Sequence, residues 1–371
     1  MVIVVIILII LLTLAYFYLK CSLIGSLSVL FCAVFSLILT FSYYEWLAEM
    51  FITRGYGGQW PLAGCFAVIF IACFSVFRGV ANLVVGDNID FGQTPKKVAA
   101  VVCGLFTGLL FSGVALVVIG LMPVQHSLLY SRFAPDKPIV LSSPSKPLLN
   151  PDGFVTGLYG WVSRGTLASK QSFAVVQADY LTKNHLNRYQ IGNDIGFIAS
   201  REALTLPPRN KKPVRLWPVQ DQADLTVVRV GISMRQIPDG GAGDGVGVRF
   251  SSAQFRLICK PDGEADTLRG SGEAIWPVGM LKYRNSKRPQ DGKEFFKLVL
   301  GEIVSHEDTL GTRDGLLWLD MAFEVPGGRV PVALQFKQNA MVSLVGITPT
   351  ASTPEIELGL DTKDEQEEPT P

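Results

Sequence analysis

Three histidines, His126, His185 and His306, are the only imidazoles in this 371-residue chain. A serine hydrolase would need one of them beside an Asp and a Ser, with oxyanion donors facing the same point. Gly270-Ser271-Gly272 is the nearest approach to a nucleophile turn, and no Gly-Asp-Ser-Gly-Gly stretch accompanies it. His185 and His306 are therefore read as surface or turn residues, no catalytic residue is assigned, and the chain is read as not an enzyme. The six cysteines have no zinc spacing. Cys21, Cys32, Cys65, Cys73 and Cys103 fall in apolar runs, and Cys259, alone in "FRLICK", is read as a buried core thiol. The stretch "DGGAGDGVG" (239–247) lacks the Gly-Lys-Ser/Thr ending of a phosphate loop and the repetition of a calcium-binding repeat, so it is read as a hairpin loop. Neither a metal nor a cofactor is expected.

Charge supplies the remaining candidates. Arg209, Lys211, Lys212 and Arg215 form one basic run, and Lys282, Arg284, Lys287 and Arg288 form another. Either solvated loops or contacts with anionic head groups or envelope polymers would account for them, since clustered cations near a bilayer gain on the order of 1 kcal/mol each. The net charge of +1 gives no reason to expect nucleic acid. Arg78 sits in an apolar run, where a charge at mid-helix costs about 2.5–3.5 kcal/mol. It is a snorkelling side chain or part of a path or binding face, with Asp87 or Asp90 within reach as partners.

The elements that carry these residues begin with four apolar runs, 2–19, 21–44, 61–85 and 98–122. Each is about the length of a membrane-spanning helix, and domain 1–123 is read as a four-helix membrane unit of a multi-pass protein. Lys20, Lys96 and Lys97 fall on one side, against a sparse loop at Arg54. The positive-inside rule then puts the N-terminus outside and everything after Met122 on the extracytoplasmic side. Tyr43, Tyr44, Trp46 and Trp60 would form the outer aromatic belt. Along the fourth run, Ala100, Gly104, Gly108 and Ser112 recur every fourth residue. Lipid is as apolar as leucine, so close backbone approach over small residues holds such helices together. The stripe is read as a packing groove, with a homo-oligomer seam or a substrate path as the alternatives. Ala67, Ser75 and Gly79 form a looser counterpart on the third run.

Four helices, a very short first turn and small residues at every fourth place of the last helix resemble the colicin V production protein family, over about residues 1–165. In that family the last helix often opens with three glycines spaced by four; here Ala100 stands first, and Gly104 and Gly108 follow. The family's usual Asp-Arg pair before this run is replaced by Lys96 and Lys97. The resemblance implies a bacterial inner-membrane protein acting in toxin production or export, or in envelope maintenance. Some relatives join the same unit to an extracytoplasmic serine protease, which the residues above do not support here.

Residues 124–222 are read as a connector. "APDKPIVLSSPSKPLLNPDG" is proline-rich and extended. Asp152 would cap a short helix with Phe154, Leu158, Trp161 and Val162 on its apolar side, lying on the outer leaflet or against the next domain. Residues 173–189 form a second candidate helix.

From about 223 the period changes to two. Val228, Val230, Ile232 and Met234 point one way, with Val227, Arg229 and Ser233 opposite. Leu317, Leu319, Met321, Phe323 and Val325 alternate with Trp318, Asp320 and Glu324. Val332, Leu334 and Phe336 alternate with Ala333, Gln335 and Lys337. Residues 295–304 and 341–347 add two more candidate strands. Strands without intervening helices predict an antiparallel β-sandwich over 223–348. "LWLDMAFEVPGGRVPVALQFK" resembles the closing strands of immunoglobulin-like, telokin-like modules. The acidic segment 349–371 has little to bury and is read as a disordered tail. These elements lead to two functional expectations. One is a scaffold or export accessory whose sandwich binds an envelope protein or polymer. The other is a small transporter with its path beside Gly104 and Gly108.

Overall fold

The computed structural model describes residues 2–84, 92–128, 130–134, 139–165, 170–193, 195–208, 212–217, 224–237, 249–283, 293–305 and 309–351. Four helices are long and apolar enough to cross a membrane: α1 (Val2–Lys20), α2 (Leu23–Ile52), α3 (Pro61–Val84) and α4 (Gln93–Leu121). Three short helices follow: α5 (Pro151–Arg164), α6 (Phe173–Val176) and α7 (Tyr180–Asn187). Residues Met1–Phe197 with Arg269–Ser271 form one compact unit, and Ile198–Leu268 with Gly272–Pro371 the other. The stretch read as a connector, 124–222, thus does not stand apart. Its helices belong to the first unit and its last strands to the second.

The spans fall where the apolar runs predicted them, with two extensions: α4 starts at Gln93, five residues before the expected 98, and α2 overruns its expected end. α2 runs eight residues past Tyr44, because Glu45–Ile52 contains good helix formers and buries Ala48 and Ile52. The α1–α2 turn is only Cys21–Ser22, and the Ser22 hydroxyl caps α2 by accepting from the Gly25 N–H at 3.1 Å. The stripe on α4 faces α1. A Cβ at Gly104 would lie 3.3 Å from Phe17 Cβ, and one at Gly108 would lie 3.0 Å from Ile10 Cα. Ala100 is buried with Phe17 and Cys21. Ser112 is buried and donates to the Gly108 carbonyl. The tightest approach comes one residue beyond the stripe. A Cβ at Gly113 would meet the Pro151 carbonyl oxygen at 2.3 Å and Val155 Cγ2 at 2.4 Å, so α5 lies directly on α4 there. The expected line on α3 does not pack: Ser75 and Gly79 are not among the residues it buries, and a Cβ at Gly79 would meet nothing within 4 Å. α3 instead buries Ala63, Phe66 and Phe70.

α5 buries a different face from the one expected. Pro151, Asp152, Val155, Gly160 and Ser163 turn inward, while Trp161 is 68% exposed. Asp152 is not the cap; Asn150 holds that place, with φ 44°. The helix expected over 173–189 is broken into α6 and α7 at Asp179, which has φ 49°.

The second unit is mostly antiparallel β. Its strands are β1 (Leu204–Thr205), β2 (Val214–Trp217), β3 (Leu225–Ser233), β4 (Phe250–Ser251), β5 (Phe255–Pro261), β6 (Glu273–Ile275), β7 (Pro277–Tyr283), β8 (Lys293–Lys297), β9 (Ile303–Val304), β10 (Thr312–Arg313), β11 (Leu316–Phe323), β12 (Arg329–Phe336), β13 (Ala340–Ser343) and β14 (Thr350–Ala351). The larger sheet has the order β14-β2-β3-β11-β7-β8, with β1 on β3 and β10 on β11; the smaller is β13-β12-β5-β6, and β4 pairs with β9. Val228, Val230 and Ile232 of β3, Leu317, Leu319, Met321 and Phe323 of β11, Leu257 and Cys259 of β5, and Leu334 and Phe336 of β12 share one core. Burial pushes the Cys259 thiol up to about 12, as suits a core residue. Residues 295–304, expected as one strand, are split between β8 and β9 by a turn at Gly301, φ 96°. Thr350 and Ala351, expected in the tail, pair in parallel with Arg215 and Leu216 of β2. Residues 352–371 lie outside the described residues.

The opposite face of the large sheet departs from simple alternation. Trp318 and Arg229 are nearly buried and Asp320 fully so. Asp320 stands opposite Arg229 in the β11–β3 register, and the guanidinium donates Nε and Nη2 to the two carboxylate oxygens at 2.6 Å each. Lys293 Nζ adds a third bond at 3.0 Å. Burial alone would raise the Asp320 carboxyl, but the Arg229 and Lys293 charges outweigh it and hold it below the usual range.

Candidate functional site

The densest buried polar cluster in the helical unit sits at the end of the bundle where α4 stops. Four segments meet there. The last turns of α4 supply the apolar floor through Leu116, Val117 and Gly120. The irregular segment after α4 brings Gln125, His126, Tyr130 and Arg132. The first turn of α5 brings Asp152, and α7 brings Asn184, His185 and the adjoining Arg188. The 5.4 Å pitch of a helix puts Leu181, Asn184, His185 and Arg188 on one face of α7.

Asp152 is 1% exposed. Tyr130 Oη donates to its Oδ2, Arg132 Nη1 lies 3.6 Å from the same oxygen, and the Gly153 N–H donates to Oδ1 at 2.9 Å. Arg188 ties α7 to the end of α4: Nη1 donates to the Ile119 and Val124 carbonyls at 3.2 and 3.3 Å, and Nε donates to Asn184 O at 3.0 Å. Burial brings Arg188 down to about 10, and it stays cationic at neutral pH. The His126 and His185 rings meet edge to face with centroids 4.7 Å apart, and His126 stacks on Tyr189. Burial, then the neighbouring His126, Arg188 and Arg132, pushes His185 down to about 3, so it is neutral and carries a single N–H. His126 is lowered by burial and by Arg188. Within this cluster is a cavity of about 40 Å³.

A second polar chain adjoins the first. Lys183 Nζ donates to Gln177 Oε1, Gln177 Nε2 donates to Glu45 Oε1, and Tyr44 Oη donates to the same Glu45 oxygen. The Tyr44 and Tyr180 hydroxyls are 3.0 Å apart. Phe41, Phe66, Tyr159 and Phe173 pack edge-on or stacked around these tyrosines and fix α5 and α6 on α2 and α3.

None of these residues was singled out from the sequence as a functional group, and His185 is corrected outright. It is not a surface residue but 3% exposed. His306 lies outside the described residues. The groups expected to act are dispersed. Ala100, Gly104, Gly108 and Ser112 are covered, with α1 occupying the face that a second copy or a solute path would use. Arg78 is half-buried two turns from the end of α3; Asp87 and Asp90 lie outside the described residues. Of the first basic run, Lys212 is exposed, Arg215 is buried on β2 with Nε donating to the Lys212 carbonyl, and Arg209 and Lys211 lie outside the described residues. In the second, Lys282 Nζ sits 4.1 Å above the Phe296 ring, while Arg284, Lys287 and Arg288, like the 239–247 loop, are outside the described residues. No group of three or more His, Cys, Asp or Glu suited to a metal occurs among the described residues. The arrangement suits recognition of charge: it holds two guanidiniums, two imidazoles and one carboxylate around one small cavity. The chain matches no family model, no curated protein and no solved structure.

Proposed function

We propose that this protein is a membrane scaffold. Its four spans anchor an outward-facing, immunoglobulin-like β-sandwich that binds an envelope protein or polymer. In the setting implied by the resemblance to colicin V production proteins, it would serve toxin production or export, or envelope maintenance, at a bacterial inner membrane.

The observation that carries this reading is the packing between the spans. A transport path needs polar groups facing one another across a space. Here Gly104 and Gly108 lie against the backbone of α1. The buried hydroxyls of Ser26, Ser36, Thr40 and Ser112 each donate to a carbonyl four residues back in the chain. Helix-to-helix contact, rather than a lined passage, is what these residues supply.

The test has two arms. A reporter active only outside the cytoplasm, fused after Gln222, is expected to be active, and photo-cross-linkers on the strand-rich unit are expected to capture an envelope component. A reporter active only in the cytoplasm at that point would remove the outward-binding reading. Solute flux into liposomes carrying the purified chain, abolished by Gly108→Leu, would replace the scaffold with a transporter.

A further inference from the structure

Buried charge at the end of the bundle does not balance among the described residues. Arg132 and Arg188 are 8% and 6% exposed, and Asp152 is the one acid lining the cavity with them. That carboxylate is already committed to Tyr130, Arg132 and the Gly153 N–H. The bonds that Arg188 donates go to the carbonyls of Ile119, Val124 and Asn184. Carbonyl dipoles satisfy the Nε and Nη1 hydrogens without cancelling the charge, and an uncompensated buried charge is costly.

Two buried nitrogens also go unanswered. His185 Nε2 and Arg132 Nε have no hydrogen-bond partner. Buried polar atoms are nearly always paired, so an unpaired one calls for a cause, and a bound ion is one. Both residues line the cavity of about 40 Å³. A water needs about 10–15 Å³ of such space, so there is room for one small ion. A water would answer the nitrogens but leave the charge. A cation would add to it. One monovalent anion answers both.

We propose that this cavity binds a small monovalent anion, of the size of chloride or formate, held by His185 Nε2–H, Arg132 Nε–H and the Arg188 guanidinium. The site joins α5, α7 and the segment after α4, so its occupancy strengthens the cap on the end of the bundle. This inference rests on the cavity and does not depend on the scaffold reading.

The test is the melting temperature of the full chain in nanodiscs of zwitterionic lipid, with chloride, bromide or formate replacing gluconate at constant ionic strength. Binding to the folded state alone raises stability with the logarithm of ligand concentration, so a saturable rise of about 3 °C or more is expected. His185→Leu removes the unanswered donor and leaves an apolar side chain. It should melt at or above the parent in gluconate and lose the rise with chloride. Arg132→Gln, which can still donate to Asp152, should weaken the response at least tenfold in midpoint concentration. No response to any of the three anions, or an equal response in both variants, overturns the proposal. So does a rise produced only by phosphatidylglycerol in chloride-free nanodiscs, because a lipid phosphate would then be the occupant.

Discussion

Adding one methyl group at Gly113 should damage this protein more than adding one at Gly79 or Gly108. The built Cβ of Gly113→Ala falls 2.3 Å from the Pro151 carbonyl oxygen, 2.4 Å from Val155 Cγ2 and 2.8 Å from the Pro151 carbonyl carbon. Ordinary contact begins near 3.4 Å, so the neighbour must retreat by about 1 Å. Two of the three obstructing atoms are backbone, and no rotamer change can clear them. The whole first turn of α5 has to move, and Asp152 with it. Overpacking of this kind costs about 1–3 kcal/mol, against a helix-propensity gain from Gly to Ala of up to about 1 kcal/mol. Gly108→Ala meets Ile10 Cα at 3.0 Å and needs a shift of only a few tenths of an ångström. Gly79→Ala meets nothing, so it gains propensity at no steric cost. Thermal unfolding of the full chain in detergent should therefore rank the variants, with Gly113→Ala several degrees below the parent, Gly108→Ala near it, and Gly79→Ala at or above it. If Gly79→Ala melts below Gly113→Ala, or Gly113→Ala melts like the parent, α5 does not seat on α4 and the close-approach argument fails.

Asp320→Asn should cost about 3–5 kcal/mol in chemical denaturation of the full chain, because it strands the buried charges of Arg229 and Lys293; a loss under about 1 kcal/mol would mean the triad is not closed. The folded carboxyl is depressed relative to its unfolded value near 3.9, so its stabilisation is fully present above about pH 5 and fades as pH falls toward the folded value. That acid sensitivity should be missing from Asp320→Asn. His185 is also depressed, from an unfolded value near 6.5 to about 3, so in gluconate the helical unit should weaken as pH drops from about 7 to 4, and His185→Leu should flatten this slope. Cys259 should resist thiol reagents at about pH 8 until the chain is denatured, since burial holds its thiol near 12; rapid labelling of the native chain would contradict its core position. Truncation after Ala351 should leave the melting temperature unchanged, whereas truncation after Pro349 removes β14 from β2 and should lower it.

The spans were legible because each is a continuous run of about twenty apolar residues, a signal that needs no long-range information. Alternation exposed β3, β11 and β12 for the same reason. It predicted the core face correctly and gave no burial for the reverse face, because the burial of Arg229, Asp320 and Lys293 depends on which strands become neighbours. The site at the bundle end was not legible. His126 and His185 lie 59 positions apart, and each of the four contributing segments supplies only a few polar residues without a period. Asp152 looked like a helix cap because acidic residues favour first turns; its partners, Tyr130 and Arg132, arrive from a segment whose proline-rich surroundings suggested only an extended link. The small-residue stripe was legible as a packing surface, but not its occupant, since α1 and α3 are both apolar.

The position of α5 has a consequence for how the chain is assembled in the cell. Phe154 packs against Phe106 and Tyr159 stacks on Phe41, so this helix lies beside the spans rather than beyond their ends. Gly113, where it touches α4, is eight residues before Leu121, or about 12 Å down the helix axis. Yet α5 has only 14 residues, about 21 Å, too short to be recognised and inserted as a span of its own. In a chain whose four apolar helices insert as spans, α5 would leave the insertion machinery with the segment that follows α4 and return to the bundle from the side it has reached. Its seat exists only once α2 and α4 are side by side, so docking of α5 would follow their pairing and report on it. A chain whose spans insert but fail to pair would display α5, with its exposed Trp161 and uncovered Asp152, as a ready mark for membrane quality-control proteases.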